Sequence, residues 1–295
     1  MISDDIQEIA EALAASRRRL EATGGRAGSA RRFAHLLDRV QRRLVRPPRI
    51  VLLGEFNAGK TTLANALIGA DVLPTSFHAN TRIPIRVFYN TVSSLELELT
   101  DRTRWPLDDT GLQLLGHGRA RMLHVGLPVA RLEAFELIDT PGLASGMANL
   151  EGANADAFGY ASIAIWCTAA TQAWKATELS AWHGVPARLR RKGLLVVTLC
   201  DMLNSERDRG RVLARLQSEA APHFANLAMV NAAEIDELRR NPHLADYEER
   251  WIACGGRALD ESIARLVEAV FEDRRRSLGR ILGRIAAATA GDNGA

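Results

Sequence analysis

The residues best suited to chemistry in this chain lie together. Gly54-Glu55-Phe56-Asn57-Ala58-Gly59-Lys60-Thr61 matches G-x-x-x-x-G-K-[ST] and is followed by Thr62. Glycines let backbone N–H groups close around phosphate oxygens, and the N-terminus of a following helix adds its dipole. Lys60 would reach the β- and γ-phosphates of a nucleotide, and the Thr61 hydroxyl would ligate Mg2+. The nine residues from Gly54 to Thr62 are therefore the expected phosphate cradle. The bland alternative is a strand–helix turn with an incidental lysine. Composition speaks against it, because Lys60, Lys175 and Lys192 are the only lysines among 38 basic residues.

Two further stretches extend the pattern. In Asp139-Thr140-Pro141-Gly142 the Asp139 carboxylate would hold Mg2+ through water, and the Gly142 N–H could donate to a γ-phosphate. A D-x-P-G tetrapeptide is weak evidence alone and strong after a phosphate loop. Asp201 follows Thr198-Leu199-Cys200. A carboxylate only accepts hydrogen bonds, so Asp201 would pair with the ring N–H and amino group of guanine and reject adenine. The competing reading is a helix N-cap. Thr198 and Asn231 complete the expected nucleotide-binding residues, Asn231 as part of a weakly marked last base-contacting loop at 229–233.

The elements around these residues alternate. An apolar run at 50–53 reads as a buried strand, and the helix after it turns Leu63, Leu67 and Ile68 inward. Residues 71–81 are polar and turn-rich, as a mobile loop should be. Strands are expected at 83–89, 95–99, 124–129, 135–138, 163–166, 194–198 and 227–230. The alternation at 95–99 implies one wet face. Helices are expected at 176–190, 206–220 and 259–287, the last with Ile263, Leu266, Val267, Val270, Phe271, Leu278, Ile281, Leu282 and Ile285 on one stripe. The stretches 101–121 and 143–159 carry no clear period. This order predicts an α/β fold, a mostly parallel sheet with helices on both faces. Ahead of it, helices are expected at 3–22 and 30–44, separated by 22–29 and stopped by Pro47-Pro48. The predicted division is 1–46 for these helices, 47–256 for the nucleotide domain and 257–295 for the final helix and tail.

Composition bounds the function. At 295 residues, 47% hydrophobic and 25% charged, the chain is ordinary globular protein. No apolar run approaches the roughly 18–20 residues of a membrane span, and the N-terminus has no signal-like pattern, so a cytoplasmic location is expected. Cys167, Cys200 and Cys254 form no C-x-x-C pair and read as free thiols. A net charge of +3 does not argue for nucleic acid. Residues 1–49 hold eleven arginines against six acids. They form either a solvated arginine face or a surface for anionic lipid or an acidic partner.

In GEFNAGKTTLANALIG, LPTSFHANTRIP, DTPG and the block 163–203, where a strand, a helix containing Glu178 and VVTLCDML succeed one another, the chain resembles the dynamin-like GTPases, especially their bacterial members. The resemblance covers roughly 50–205. It implies a Ras-like fold and hydrolysis of GTP to GDP by in-line attack of water, with Mg2+ bound by Thr61, Thr81 and Asp139. Thr81, followed by Arg82 and Pro84, matches the switch threonine that closes on the metal; Thr75 is the alternative. Lys60, Thr81, Asn57 and Gly142 are the implied catalytic residues. Leu143 stands where Ras-like proteins carry a water-orienting glutamine, as in relatives activated by dimerisation across the nucleotide face. In potassium-dependent relatives the residue at Asn57 ligates a monovalent cation, so either K+ sits there or Asn57 only stabilises the loop.

Two departures from the family matter. Leu199 replaces the usual lysine of [TN]-K-x-D, which implies guanine preference through Asp201 with weaker affinity. At 295 residues the chain is also expected to be too short for a stalk. Its terminal helices would instead pack as a short bundle or neck, and Arg274-Arg275-Arg276 is either a solvated helix end or a lipid contact. The implied partners are GTP/GDP, a second copy or a longer dynamin-like protein, and peripheral membrane, with no nucleic acid. The rival readings are a non-membrane regulatory GTPase in complex assembly and a catalytically weak nucleotide-binding scaffold.

Overall fold

The computed structural model describes residues 44–70, 83–107, 119–142 and 153–291, with isolated helical positions at 11, 18, 35 and 38. The expected helices at 3–22 and 30–44 otherwise lie outside these residues, as do the break at 22–29, the loop 71–81 with Thr75 and Thr81, Arg82 and Leu143. The chain divides into two compact units, one of residues 48–267 and one of residues 1–47 with 268–295.

The larger unit is built on one mixed sheet. Its strands in chain order are β1 (Arg49–Gly54), β2 (Ile85–Tyr89), β3 (Ser94–Leu99), β4 (Arg104–Pro106), β5 (Ala120–Leu127), β6 (Glu136–Asp139), β7 (Ile163–Ala169), β8 (Gly193–Thr198) and β9 (Asn226–Met229). They lie side by side in the order β4-β3-β5-β2-β6-β1-β7-β8-β9. From β6 through β1, β7 and β8 to β9 every pairing is parallel, whereas β2 runs antiparallel to β6 and β3 antiparallel to both β4 and β5. All six residues of β1 and of β8 are buried. Strands covered on both faces need such continuous apolar runs, and burying each Ile, Leu or Val contributes roughly 1.5–3 kcal/mol.

Helices cover both faces: α1 (Lys60–Ile68), α2 (Ala153–Tyr160), α3 (Ala176–Gly184), α4 (Ala187–Arg190), α5 (Glu206–Glu219), α6 (Ala232–Arg240), α7 (Tyr247–Ala253) and α8 (Gly256–Gly291). One core gathers Val51, Leu53, Ile138, Trp166, Leu195 and Val197 with Phe158, Trp182, Leu189 and Leu216 from the helices above them. On α1 the last turn is tied down from outside. Gly69 caps it in the left-handed region (φ 79°), and the Leu67 carbonyl accepts from Arg131 Nε at 3.1 Å and Arg239 Nη1 at 3.0 Å. Both arginines also reach Asp260 Oδ1, at 2.9 and 2.6 Å.

Four sequence expectations change. The helix expected across 176–190 is two helices, because Pro186 cannot continue α3 and instead opens α4. Strand β3 is not split into a dry and a wet face: Leu95 is 40% exposed, while Glu98 is buried beside Leu97 and Leu99. Cations permit this, since Glu98 accepts from Arg121 Nη1 at 2.8 Å and Arg102 Nη1 at 3.2 Å and pairs with His124 Nε2 at 2.8 Å. The periodless stretches contain β4 and α2. Finally, α6 opens inside the loop expected at 229–233, and α7 follows it in a stretch for which no element was expected.

In the smaller unit Leu44 is buried, and Arg274 donates to the Arg46 carbonyl while lying over the Phe271 ring. Arg276 pairs with Asp273 at 2.6 Å. Val270 and Leu278 of α8 are buried as the expected stripe requires, and Phe271 and Ile281 are half-buried.

Candidate nucleotide-binding site

At the end of β1 the chain cannot carry a side chain. A Cβ on Gly54 would lie 2.3 Å from the Cys167 carbonyl oxygen of the neighbouring strand, with which Gly54 is in register. The loop then bends through two left-handed residues, Asn57 (φ 59°) and Gly59 (φ 71°), and α1 starts at Lys60. No side chain caps α1, which leaves its first N–H groups directed into the loop.

Lys60 is 7% exposed. Its ammonium donates to the Gly54 carbonyl at 3.1 Å and the Glu55 carbonyl at 2.7 Å. Burial pushes its pKa below the ordinary lysine range, opposed by the charges of Asp139 and Glu55. The Thr61 hydroxyl donates to Asp139 Oδ2 at 3.1 Å, joining residues far apart in sequence, and Asp139 is fully buried. Thr62 is half-buried on α1. Gly142 closes over the loop: a Cβ there would meet Phe56 Cα at 2.8 Å and Lys60 Nζ at 3.3 Å. Thr140, between the two, donates to the Leu52 carbonyl at 2.6 Å. Lys60, Thr61, Asp139 and Gly142 thus converge, and Ala58 is buried beneath them.

Other expected residues sit differently. Thr198 is wholly buried and donates to the Ala58 carbonyl at 2.8 Å, with the Thr168 carbonyl as a second acceptor at 3.2 Å. It therefore holds the phosphate loop from behind. Asn231 caps α6, its side-chain oxygen accepting from the Glu234 N–H at 3.3 Å. Asp201 is exposed in a short 3-10 turn, Cys200–Met202, entered through Leu199 in the left-handed region (φ 55°). It is not the N-cap of α5, a role taken by Ser205, which accepts from the Asp208 N–H at 3.1 Å. Phe56 is 68% exposed, and Asn57 beside it is exposed.

Lys175, Thr177 and Glu178, which the motifs did not select, support the loop. Glu55 takes Lys175 Nζ at 2.8 Å and the Thr177 hydroxyl at 2.9 Å. Partial burial works to raise the Glu55 carboxyl, but these hydrogen bonds and the lysine charge leave it below the ordinary range. Glu178 is 2% exposed, and burial raises its carboxyl. Cys167, opposite Gly54, has a thiol pushed up to about 12 by burial, which makes it inert at neutral pH. The scarcity of lysine was the one available signal for Lys175.

The chain is similar to known proteins in sequence and in fold. Residues 50–113 match the model of the dynamin family. Dynamin-like protein 2 of Campylobacter jejuni is 27% identical over 190 residues, 63% of this chain and 31% of that protein. The isoniazid-induced protein IniC of Mycobacterium tuberculosis is 33% identical over 116 residues, 37% of this chain and 24% of that protein. The chain therefore spans less than a third of either relative. Two solved chains of an oligomerised bacterial dynamin pair, described as providing a mechanism for the long-range sensing and tethering of membranes, share the fold. Their TM-scores are 0.57 and 0.62 at 19% and 15% identity, covering 88% and 99% of this chain and 41% and 57% of theirs. The mixed α/β fold is thus shared with these bacterial dynamin chains. Family match, relatives and fold point the same way: over residues 50–113 this chain is similar to the dynamin family, and its fold is similar to that of bacterial dynamins.

Proposed function

We propose that this chain binds GTP at the loop 54–62 and hydrolyses it to GDP and phosphate, water attacking the γ-phosphate in line. The observation that carries the reading is the convergence of a buried lysine ammonium, a glycine-lined loop and a threonine–carboxylate pair at the N-terminus of α1. Lys60 would exchange its two carbonyl partners for phosphate oxygens, gaining charge-assisted bonds. Asp201 and the stem of Leu199 would recognise guanine.

The Thr61 hydroxyl and the Asp139 carboxylate are oxygen donors of the kind Mg2+ requires. Among the described residues no group of three His, Cys, Asp or Glu could hold a metal unaided, so phosphate oxygens would complete the shell. Bound there with Thr81, the ion would offset negative charge on the phosphates.

Catalysis is proposed to need a second copy, or a longer dynamin-like partner, across the nucleotide face. Leu143 in place of a water-orienting glutamine supports this, as do the exposed Phe56 and Met202 on the phosphate loop and the loop after β8. Residues 1–46 and 257–295 would form the neck that transmits the change, with peripheral contact at the inner face of a membrane. Among the described residues no helix is long and apolar enough to cross one.

The test is GTP hydrolysis against protein concentration with Mg2+ in potassium buffer, with ATP and Lys60→Ala as controls. A rate per molecule that climbs with concentration, for GTP alone, is expected. Nucleotide binding with a flat, negligible rate would replace the enzyme with a scaffold.

A further inference from the structure

We propose that Lys175 masks the charge of Glu55 and thereby sets the affinity of the phosphate loop for polyphosphate. The proposal rests on reading the loop as a nucleotide site. Glu55 puts a carboxylate in the loop that must receive the most negative part of the ligand. That carboxylate lies close enough to the Lys60 ammonium to feel its charge, so it lies close enough to repel phosphates held there.

The arrangement around Lys175 keeps its ammonium in place. Trp174 turns the chain in the left-handed region (φ 60°), and its N–H is held by Thr168 Oγ1 at 3.1 Å. Glu178, buried at the start of α3, accepts from the Lys175 N–H at 2.9 Å, the Thr168 hydroxyl at 3.0 Å and the Trp166 indole at 3.0 Å. These bonds fix the first turn of α3 to β7, and from that turn Lys175 and Thr177 reach the two oxygens of Glu55. The side chains of Lys175 and Glu55 are 41% and 28% exposed. An ion pair so open adds little to fold stability, but its absence would leave a full negative charge on the rim of the site.

The experiment measures affinity for GTP and GDP in the intact chain and in Lys175→Ala, Glu55→Gln, the double variant and Lys60→Ala, at low and raised salt. Lys175→Ala should weaken GTP about fivefold to tenfold and GDP less, because the repulsion scales with ligand charge, and raised salt should shrink the loss. The double variant should return to within about twofold of the parent, since it removes the charge that needed masking. Lys175→Ala binding that matches the parent overturns the proposal. So does an equal loss for both nucleotides that Glu55→Gln leaves unrepaired, which would make Lys175 a structural tether. A parent chain whose affinity ignores phosphate number and survives Lys60→Ala overturns the nucleotide site itself, and the proposal with it.

Discussion

At the scale of single residues the site is an exercise in placing charge. Lys60 is buried with its ammonium on two carbonyls, so the loop carries a positive charge whose hydration has already been stripped before any ligand arrives. Asp139 is buried in reach of Thr61, a few bonds from that lysine. Asn57 is the residue whose two readings separate most cleanly by experiment. Its left-handed backbone (φ 59°) is one that asparagine tolerates better than most side chains, which suits a loop-stabilising role. A monovalent cation at Asn57 would instead offset charge developing on the phosphates. Turnover in potassium at least several times that in sodium, lost in Asn57→Ala, assigns the cation; equal rates in the two salts assign the loop role.

At the scale of elements, the phosphate loop is held by what packs behind and beside it. Thr198 at the end of β8 bonds the Ala58 carbonyl, and the start of α3 is pinned by Glu178. That pin is expensive to break. Glu178→Ala would leave the Trp166 indole, the Thr168 hydroxyl and the Lys175 N–H without their acceptor, and should lower unfolding free energy by about 3–5 kcal/mol. Glu178→Gln retains one acceptor oxygen and should cost about half as much. Chemical denaturation of the three proteins checks both. Periodicity found β1, β7, β8 and α5 because each is an uninterrupted run of one period. The break at Pro186 escapes it because helical residues lie on both sides of the proline. It misread β3 because alternation of Leu and Glu says nothing about a cation waiting on the next strand.

At the scale of the whole larger unit, a row of charged side chains crosses one face of the sheet. Arg49 and Arg86 hold Glu136, Arg86 reaches His124 Nδ1 at 3.3 Å, His124 meets Glu98, and Arg121 joins Glu98 to Asp156 of α2. Burial lowers the His124 pKa, with Arg104 and Arg86 adding to the effect and Glu98 opposing it, so the ring stays neutral below its ordinary 6.5. As pH falls through that value, unfolded chain takes up a proton that the folded ring refuses. The unfolded state then binds more protons, and stability falls with pH. Thermal unfolding between pH 7 and 5 should show a loss of at most about 2 kcal/mol that is absent from His124→Gln. Glu136 and Glu55, both held below the ordinary carboxylate range, lose their contribution only at lower pH.

The sequence by itself determined the phosphate loop, the D-T-P-G turn, the resemblance to dynamin-like GTPases and the strand–helix alternation of the nucleotide domain. Each is written in contiguous residues, where propensity, period and motif spacing act locally. Only the tertiary structure decided which distant groups meet. It put Lys175 on Glu55, Thr198 behind Ala58 and four cationic or imidazole groups around Glu98, and it gave Asn231 to a helix cap and left Asp201 free of one. Those outcomes depend on strand order and register, which bring together side chains that no local period relates, and on the cost of burying a charge unless such a partner is at hand.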